Sequence, residues 1–484
     1  MLVGMRPGHA ARLLLGSLLW AGPACQGSSA APVVDASHQD VTTGKPDVVP
    51  DTSFALADTA DLAPSAADLA PMADDTPVER VPADVASVEA PLAAPSRFPD
   101  TTSVIAILSD QLPSLSTQQT QFAATHYVGS QKLVLGATRA LRAINPNFVV
   151  LHYHLAMWQS APSTSFIVDG QSWSNDYPEV TTHESWFWHN ANGDRVPSSN
   201  DGKLLMNVSD SGFAAYWADS LAQQTAAGEY DGVFLDSASP ALLTGECSTA
   251  DPRLAGTAAR YQTFSELGGQ TWIAAWDAWI GALDAALGSA GIPLIPNTGP
   301  LITTWDNSDY NRTRGIFVES FADPSFAVTD WKASTNQILT IAGEGKIVIL
   351  QSYLSSTGDL AHRLYYLANY LLVKGSRTYL FYFAETELEW YPEWQIDLGA
   401  AAAMPTSVDA LAWQGVYRRD YAKGVVLCNP GTSAVTVTLE APMRRVDPQG
   451  GGAVPSDGSV PGTLGTTSVS SLSLAAGAGA VLLK

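Results

Sequence analysis

Between residues 103 and 383, short β-branched or apolar runs alternate with stretches of helical periodicity, and that alternation leaves few folds open. In order, the runs are SVIAIL (103–108), FVVLHYHL (148–155), KLLMNV (203–208), GVFLD (232–236), IPLIPN (292–297), GIFVES (315–320), KIVILQSY (346–353) and TYLFYF (378–383). Unbroken apolar runs of this length suit strands covered on both faces. Between them, SGFAAYWADSLAQQ sets Phe213, Tyr216, Trp217 and Leu221 on one helical face behind a capping Asp210 or Ser211. QTWIAAWDAWIGALDAAL repeats the pattern with Trp272, Trp276, Trp279 and Leu283, and LAHRLYYLANYLLVKG stops at Gly375. Eight strands alternating with helices over about 300 residues predict an α/β fold of the (β/α)8 TIM barrel type. A doubly wound open sheet is the rival, but no GxGxxG follows the first run and no phosphate-binding loop is present.

The rest of the chain divides by composition. Residues 1–25 predict a signal peptide: Arg6 and Arg12 are basic, and Leu13–Ala21 is apolar but too short to span a bilayer. It ends in AGPACQG, where a small residue before Cys25 resembles a bacterial lipobox, with Gly22 standing where Leu is usual. Cys25 is therefore the expected lipidation site of an outer-envelope, cell-surface or secreted protein, attached to membrane only through the lipid. Residues 26–98, rich in Ala, Pro and Asp and carrying the imperfect repeat ADLAPSAADLAP, hold too little apolar surface to offset chain entropy. They predict a disordered linker. Residues 99–404 take in the barrel, and residues 156–202, with SWSNDYPEV and HESWFWHNANGD, form a long βα-loop insertion in it. From 405 to 484, GVYRRDYAKGVVLCNPGTSAVTVTLEAP alternates, turns at NPGTS and alternates again, which predicts a small antiparallel β-sandwich domain.

A formal charge of −22 makes nucleic acid and anionic membrane poor partners, since both need basic surface. Of the three cysteines, Cys247 and Cys428 could form at most one bridge beside Cys25, and no cysteine–histidine spacing suits zinc. No cofactor is expected, and the protein is expected to act as a monomer on a carbohydrate.

In a barrel, chemistry gathers at the C-terminal ends of the strands. The runs place Asp110, His152, His154, Asn207, Asp236, Asn297, Glu319, Gln351, Tyr353 and Glu385 at or near those ends. Asp236 and Glu319 each close an unbroken apolar run, so each carboxylate should project from a rigid strand. Two facing carboxylates are what glycosidic hydrolysis needs, one giving a proton and the other attacking carbon or activating water. The plainer reading is a pair of structural acids that bind arginine or cap helices. His152 and His154 share a face, but spacing supplies no third metal ligand. The remaining strand-end residues are expected to bind substrate. Trp186, Phe187 and Trp188 are consecutive and cannot all face one core, so Trp186 or Trp188 is expected to be exposed and to stack on a sugar or to anchor its loop.

The order YDGVFLDS then FVES, inside an eight-strand pattern with a β tail, resembles the barrel glycosidases and, more narrowly, the hypothetical glycosyl hydrolase family 15. CNPGTSAVTVTL likewise looks like the terminal β-sandwich that follows many glycosidase barrels. The resemblance covers about residues 100–400 and implies a retaining glycoside hydrolase with Asp236 as nucleophile and Glu319 as acid/base. Many barrel clans place the nucleophile on the seventh strand, where this chain has Gln351. The alternatives are a surface lipoprotein that binds carbohydrate without turnover, and a metal-dependent polysaccharide deacetylase or hydrolase.

Overall fold

The computed structural model describes residues 97–484 apart from 160–164, 169, 170, 175, 200, 201, 241–245, 304–307, 385 and 387. The signal peptide, Cys25, the linker up to residue 96 and Glu385 lie outside the described residues.

Eight parallel strands organise the structure: β1 (Leu108–Gln111), β2 (Gly129–Lys132), β3 (Val149–Leu155), β4 (Gly232–Asp236), β5 (Leu294–Pro296), β6 (Gly315–Val318), β7 (Ile347–Tyr353) and β8 (Thr378–Phe383). Strands β1 to β5 form one sheet in chain order, and β6 to β8 form a second. Single parallel bridges, Asn297 to Phe317 and Ile107 to Leu380, link the edges of the two. Six helices lie between the strands: α1 (Thr117–His126), α2 (Leu135–Arg142), α3 (Ser211–Ala227), α4 (Trp272–Ser289), α5 (Val328–Gly343) and α6 (Leu360–Val373). Asp210, not Ser211, caps α3 by accepting from the Gly212 and Phe213 amides. No helix separates β5 from β6 among the described residues.

Strand alternation sorts the side chains into two layers. Leu108, Val149, Leu151, Tyr153, Phe234, Ile295, Phe317, Ile349 and Tyr379 share one apolar cluster. Their neighbours Val150, Ile316, Val348 and Leu350 pack in another with Tyr370 and Leu371 of α6 and Ile338 of α5. Val233 and Leu235 join the tryptophans of α3 and α4. Both faces of β3 and β4 are buried, hence their continuous apolar runs.

One strand differs from expectation. KLLMNV is not among the eight: only Leu204–Leu205 is strand, antiparallel to Trp158–Gln159 in the insertion. The second parallel strand is GSQK, residues 129–132, which has no apolar run to mark it. Gly129 has a packing reason, since a Cβ there would sit 2.4 Å from the Val149 carbonyl oxygen. At the start of the described chain, Arg97 pairs with Asp231 and Phe98 is buried against Tyr379, so two residues expected in the linker belong to the packed region.

The C-terminal part is a six-stranded antiparallel sheet of β9 (Ala412–Trp413), β10 (Val416–Tyr421), β11 (Gly424–Asn429), β12 (Val435–Gln449), β13 (Thr463–Leu474) and β14 (Ala478–Leu483), in the order β9-β10-β11-β14-β12-β13. It is one sheet rather than the two of a sandwich. The β12–β13 register shifts between Thr438 and Met443. After the shift, Arg444 and Arg445 pair with β14. Before it, Val437 and Leu439 share an apolar cluster with Val425, Leu427 and Leu482. The long ribbon thus supplies the second layer by folding over at the irregularity. Val426, Cys428 and Val481, on the other face, pack with α6. Cys247 and Cys428 are both free and buried, so the bridge left open by the sequence is not formed. No described helix is long and apolar enough to cross a membrane.

Candidate active site

Asp236 stands two residues after Phe234 on β4, and Glu319 two residues after Phe317 on β6; both phenylalanines lie in the inner cluster. By the period of two, both carboxylates point to the same interior at the C-terminal ends of the strands. Asn297, two residues beyond inward-facing Ile295, stands between them in strand order. Its side-chain nitrogen donates to Asp236 Oδ1 and to Glu319 Oε2, each at 2.8 Å. Its own oxygen accepts from the Gly299 amide at 3.0 Å, which fixes the orientation of the carboxamide. Two oxygens that each lie 2.8 Å from one nitrogen, on N–H bonds about 120° apart, are separated by roughly 5 Å.

Each acid has further donors. Tyr153 gives its hydroxyl to Asp236 Oδ2 at 2.8 Å, and the Ser237 amide reaches Oδ1 at 2.8 Å. Tyr353 gives its hydroxyl to Glu319 Oε1 at 2.6 Å. Behind Tyr353 the chain continues: Gln351 Nε2 donates to the Tyr353 oxygen and Gln131 Nε2 donates to Gln351 Oε1, both at 3.0 Å. The residue after each acid is non-glycine in the left-handed region, Ser237 at φ 55° and Ser320 at φ 55°. Such conformations cost on the order of 1–3 kcal/mol and persist where the surroundings impose them. Here the imposing contacts are backbone bonds to the next strand's chain, Ala238 N to Asn297 O and Phe321 N to Gln351 O.

At the ends of β1 and β2, Lys132 Nζ lies 2.8 Å from Asp110 Oδ1. The same ammonium sits 5.0 Å from the ring centre of Tyr153 and 5.6 Å from that of Phe234. Burial opposes its charge, but Asp110, Asp236 and Glu319 outweigh burial, so Lys132 holds its proton more tightly than an ordinary lysine. Burial pushes the Glu319 carboxyl above the usual range, and the Asp236 charge adds to the effect; Asn297, Tyr353 and Lys132 work against it. Burial, then Asp236, raises the Tyr153 hydroxyl well above its ordinary value.

Of the residues nominated from the sequence, Asp236, Asn297, Glu319, Tyr353 and Gln351 form one hydrogen-bonded group, and Asp110 joins it through Lys132. Tyr153, Lys132 and Gln131 were not nominated. Alternation could have found Tyr153, because a strand that points Leu151 inward also points Tyr153 inward.

His152 and His154 occupy the opposite parity and face the helix layer. His152 stacks on Tyr230 at 5.3 Å and lies within 3.4 Å of Thr225 Oγ1 on α3. His154 Nε2 meets Asp176 Oδ2 at 2.8 Å, and its ring stands edge-on to Trp217 at 4.7 Å. They anchor the insertion to α3, away from the carboxylates. Trp186, Phe187 and Trp188 are 8%, 2% and 0% exposed, so none of the three is the open platform expected. Trp186 is covered by His183 at 3.9 Å, Phe187 by the Arg195 guanidinium at 3.6 Å, and Trp188 donates to Asp251 Oδ2 at 3.0 Å. Alternate residues enter different packing, with Arg195 as the lid on the middle ring. Asn207 closes the turn into α3, accepting from the Ser209 amide and hydroxyl. Among the described residues no group of three or more His, Cys, Asp and Glu could hold a metal ion.

The family described as hypothetical glycosyl hydrolase family 15 matches this chain over residues 142–425. No curated protein matches it. Similar solved structures include a maltogenic α-amylase from Thermotoga neapolitana, at 9% identity and TM-score 0.37, covering 78% of this chain and 99% of that one. An α-amylase from Malbranchea cinnamomea has 10% identity and TM-score 0.38, covering 81% and 97%. A GH31 dextranase from Flavobacterium johnsoniae has 9% identity and TM-score 0.41, covering 81% of this chain and 52% of that one.

Proposed function

The chain belongs to hypothetical glycosyl hydrolase family 15 and is a glycoside hydrolase, and on that premise we propose that it cleaves a poly- or oligosaccharide with retention of configuration. Asp236 attacks the anomeric carbon and forms a glycosyl ester while Glu319 passes its proton to the departing glycosidic oxygen. Glu319, now a carboxylate, then takes a proton from water; the water oxygen bonds to the anomeric carbon and the ester to Asp236 breaks.

The observation that carries this reading is the single Asn297 nitrogen bonded to both acids. A retaining pair works at roughly 5–5.5 Å, whereas inversion needs roughly 6.5–9.5 Å to admit a water. The assignment of roles rests on environment. Glu319 is the acid pushed toward its protonated form, while three donors converge on Asp236, which suits an anionic nucleophile. Gln351 at the end of β7 leaves the rival arrangement without its carboxylate.

The bridges at Asn297–Phe317 and Ile107–Leu380 support reading the two parallel sheets as one closed (β/α)8 barrel, with the acid pair in its mouth. Lipidation at Cys25, display on the bacterial surface through the 26–96 tether, and action as a monomer complete the reading; its support is the AGPACQG segment and the composition that follows it. The test is a screen of polysaccharides and aryl glycosides, with the first-formed anomer followed by NMR. A product of unchanged anomeric configuration is expected. An inverted first product would overturn retention.

A further inference from the structure

We propose that Lys132 sets the charge of the acid pair: it is the fixed cation at the end of β2 that lets Asp236 remain ionised beside a protonated Glu319. The inference rests on the reading of that pair given above. Two carboxyl groups roughly 5 Å apart in a buried cleft repel when both are charged, and one of them is forced to keep its proton. Asp110 adds a third acid to the same mouth. A cation among them decides how far that repulsion goes.

Lys132 is placed to be that cation. Its ammonium rests over two rings that lead directly to the nucleophile: Tyr153, whose hydroxyl donates to Asp236, and Phe234, which precedes Asp236 on the same face of β4. The groups that face it are Asp110 from β1, Tyr153 from β3, Asp236 from β4 and Glu319 after β6. Tyr353 of β7 stands behind Glu319. The side chain is mostly enclosed, 13% exposed against 11% for Asp110, so solvent screens the interaction weakly. The charge also fits the reaction. The acid pair carries one negative charge before the first step, on Asp236, and one after it, on Glu319. A fixed positive neighbour can serve both states without moving.

A plain structural role, an ion pair that ties β1 to β2, makes a different forecast, and the sign of two pH shifts separates them. In the full-length protein, kcat/KM is measured against pH on a 4-nitrophenyl glycoside that the wild type hydrolyses. Replacing the cation, Lys132→Met, should move both limbs of the profile to higher pH by about one unit. Neutralising its partner, Asp110→Asn, exposes the cation and should move both limbs to lower pH. Lys132→Arg should leave both limbs in place, and if Lys132→Met does not fold, the Asp110→Asn and Lys132→Arg profiles decide. Limbs that stay put, or that move the same way when Lys132 and Asp110 are neutralised in turn, would overturn the inference. Its failure is distinct from failure of the acid pair itself. The pair fails if Asp236→Ala keeps wild-type turnover, whereas the inference alone fails if Asp236→Ala is inactive and the Lys132→Met limbs do not move.

Discussion

Asp236 Oδ1 and Glu319 Oε2 lie at the same 2.8 Å from one nitrogen, the side-chain amide of Asn297. The relationship is set by strand order. β5 runs between β4 and β6, so the residue at its end stands between the two acids and can bond both. A carboxamide suits the position because its two N–H groups diverge, one to each carboxylate, and it brings no charge of its own. The spacing on which the stereochemical outcome depends is thus held by a third residue.

Asn297→Ala should therefore lower kcat by about two orders of magnitude while leaving KM nearly unchanged, because loosely held groups lose near-attack geometry. Asn297→Asp should be at least as poor, since it adds a negative charge between two acids. Steady-state kinetics on an aryl glycoside checks both. Wild-type kcat in Asn297→Ala would show that the amide does not control the spacing.

Asp236→Ala should abolish turnover, and azide should restore it by filling the vacated space and attacking the sugar, giving a glycosyl azide of inverted configuration. NMR of the product reads the configuration. The melting temperature should change little, because Asp236 sits in the mouth among polar donors. Hydrolysis undiminished by the substitution would make the carboxylate structural.

Glu319→Ala should retain hydrolysis of substrates with good leaving groups and lose that of poor ones, since only the latter need a proton in the first step. The pH dependence has a definite sign. The Tyr353 hydrogen bond favours the Glu319 carboxylate and holds its pKa down against burial. Tyr353→Phe should let that pKa rise, so the protonated acid survives to higher pH and the alkaline limb of kcat/KM moves up. A raised carboxyl pKa in the folded state also means that the stability tied to Glu319 is lost as pH rises through it. An alkaline limb that moves down in Tyr353→Phe would reverse the assignment.

His152 should govern acid stability and not activity. Burial, with the neighbouring His154 charge, depresses its pKa to about 3, so it is folded in the neutral form. Below the ordinary histidine value the unfolded chain binds a proton that the folded chain refuses. Stability is then full near neutrality and falls with acid by up to about 1.4 kcal/mol per pH unit. His152→Phe, which keeps a ring against Tyr230, should flatten the fall in melting temperature between neutral and acidic pH and leave kcat intact. An unchanged slope would assign the acid sensitivity elsewhere.

Much of the site could be read in advance for a simple reason. GVFLD and GIFVE are apolar up to the acid, and a strand buried on both faces can end in a carboxylate only where the sheet opens to solvent or to a site. Asn297, Gln351 and Tyr353 follow from the same logic. The β2 residues Gln131 and Lys132 did not, because GSQK carries almost no apolar signal and KLLMNV, in the insertion, resembled a strand more closely.

The two histidines mark the limit of that logic. In β3, every residue of VVLHYHL is buried, so hydrophobicity does not say which parity faces inward. One residue of offset exchanges His152 and His154 for Tyr153, and the choice depends on which neighbours the strand pairs with. The WFW stretch failed for a related reason: it could not be known that Arg195 would cover the middle ring.

Local pattern in the chain was enough for the strand–helix alternation, the β tail and the two acids, because apolar periodicity and strand ends are properties of neighbouring residues. The shared Asn297 donor, the inward turn of Tyr153 and the Lys132–Asp110 pair beside the acids join residues 20 to 83 positions apart. Their distances exist only after the strands have lined up side by side, and it is those distances that turn two carboxylates into a candidate catalytic pair.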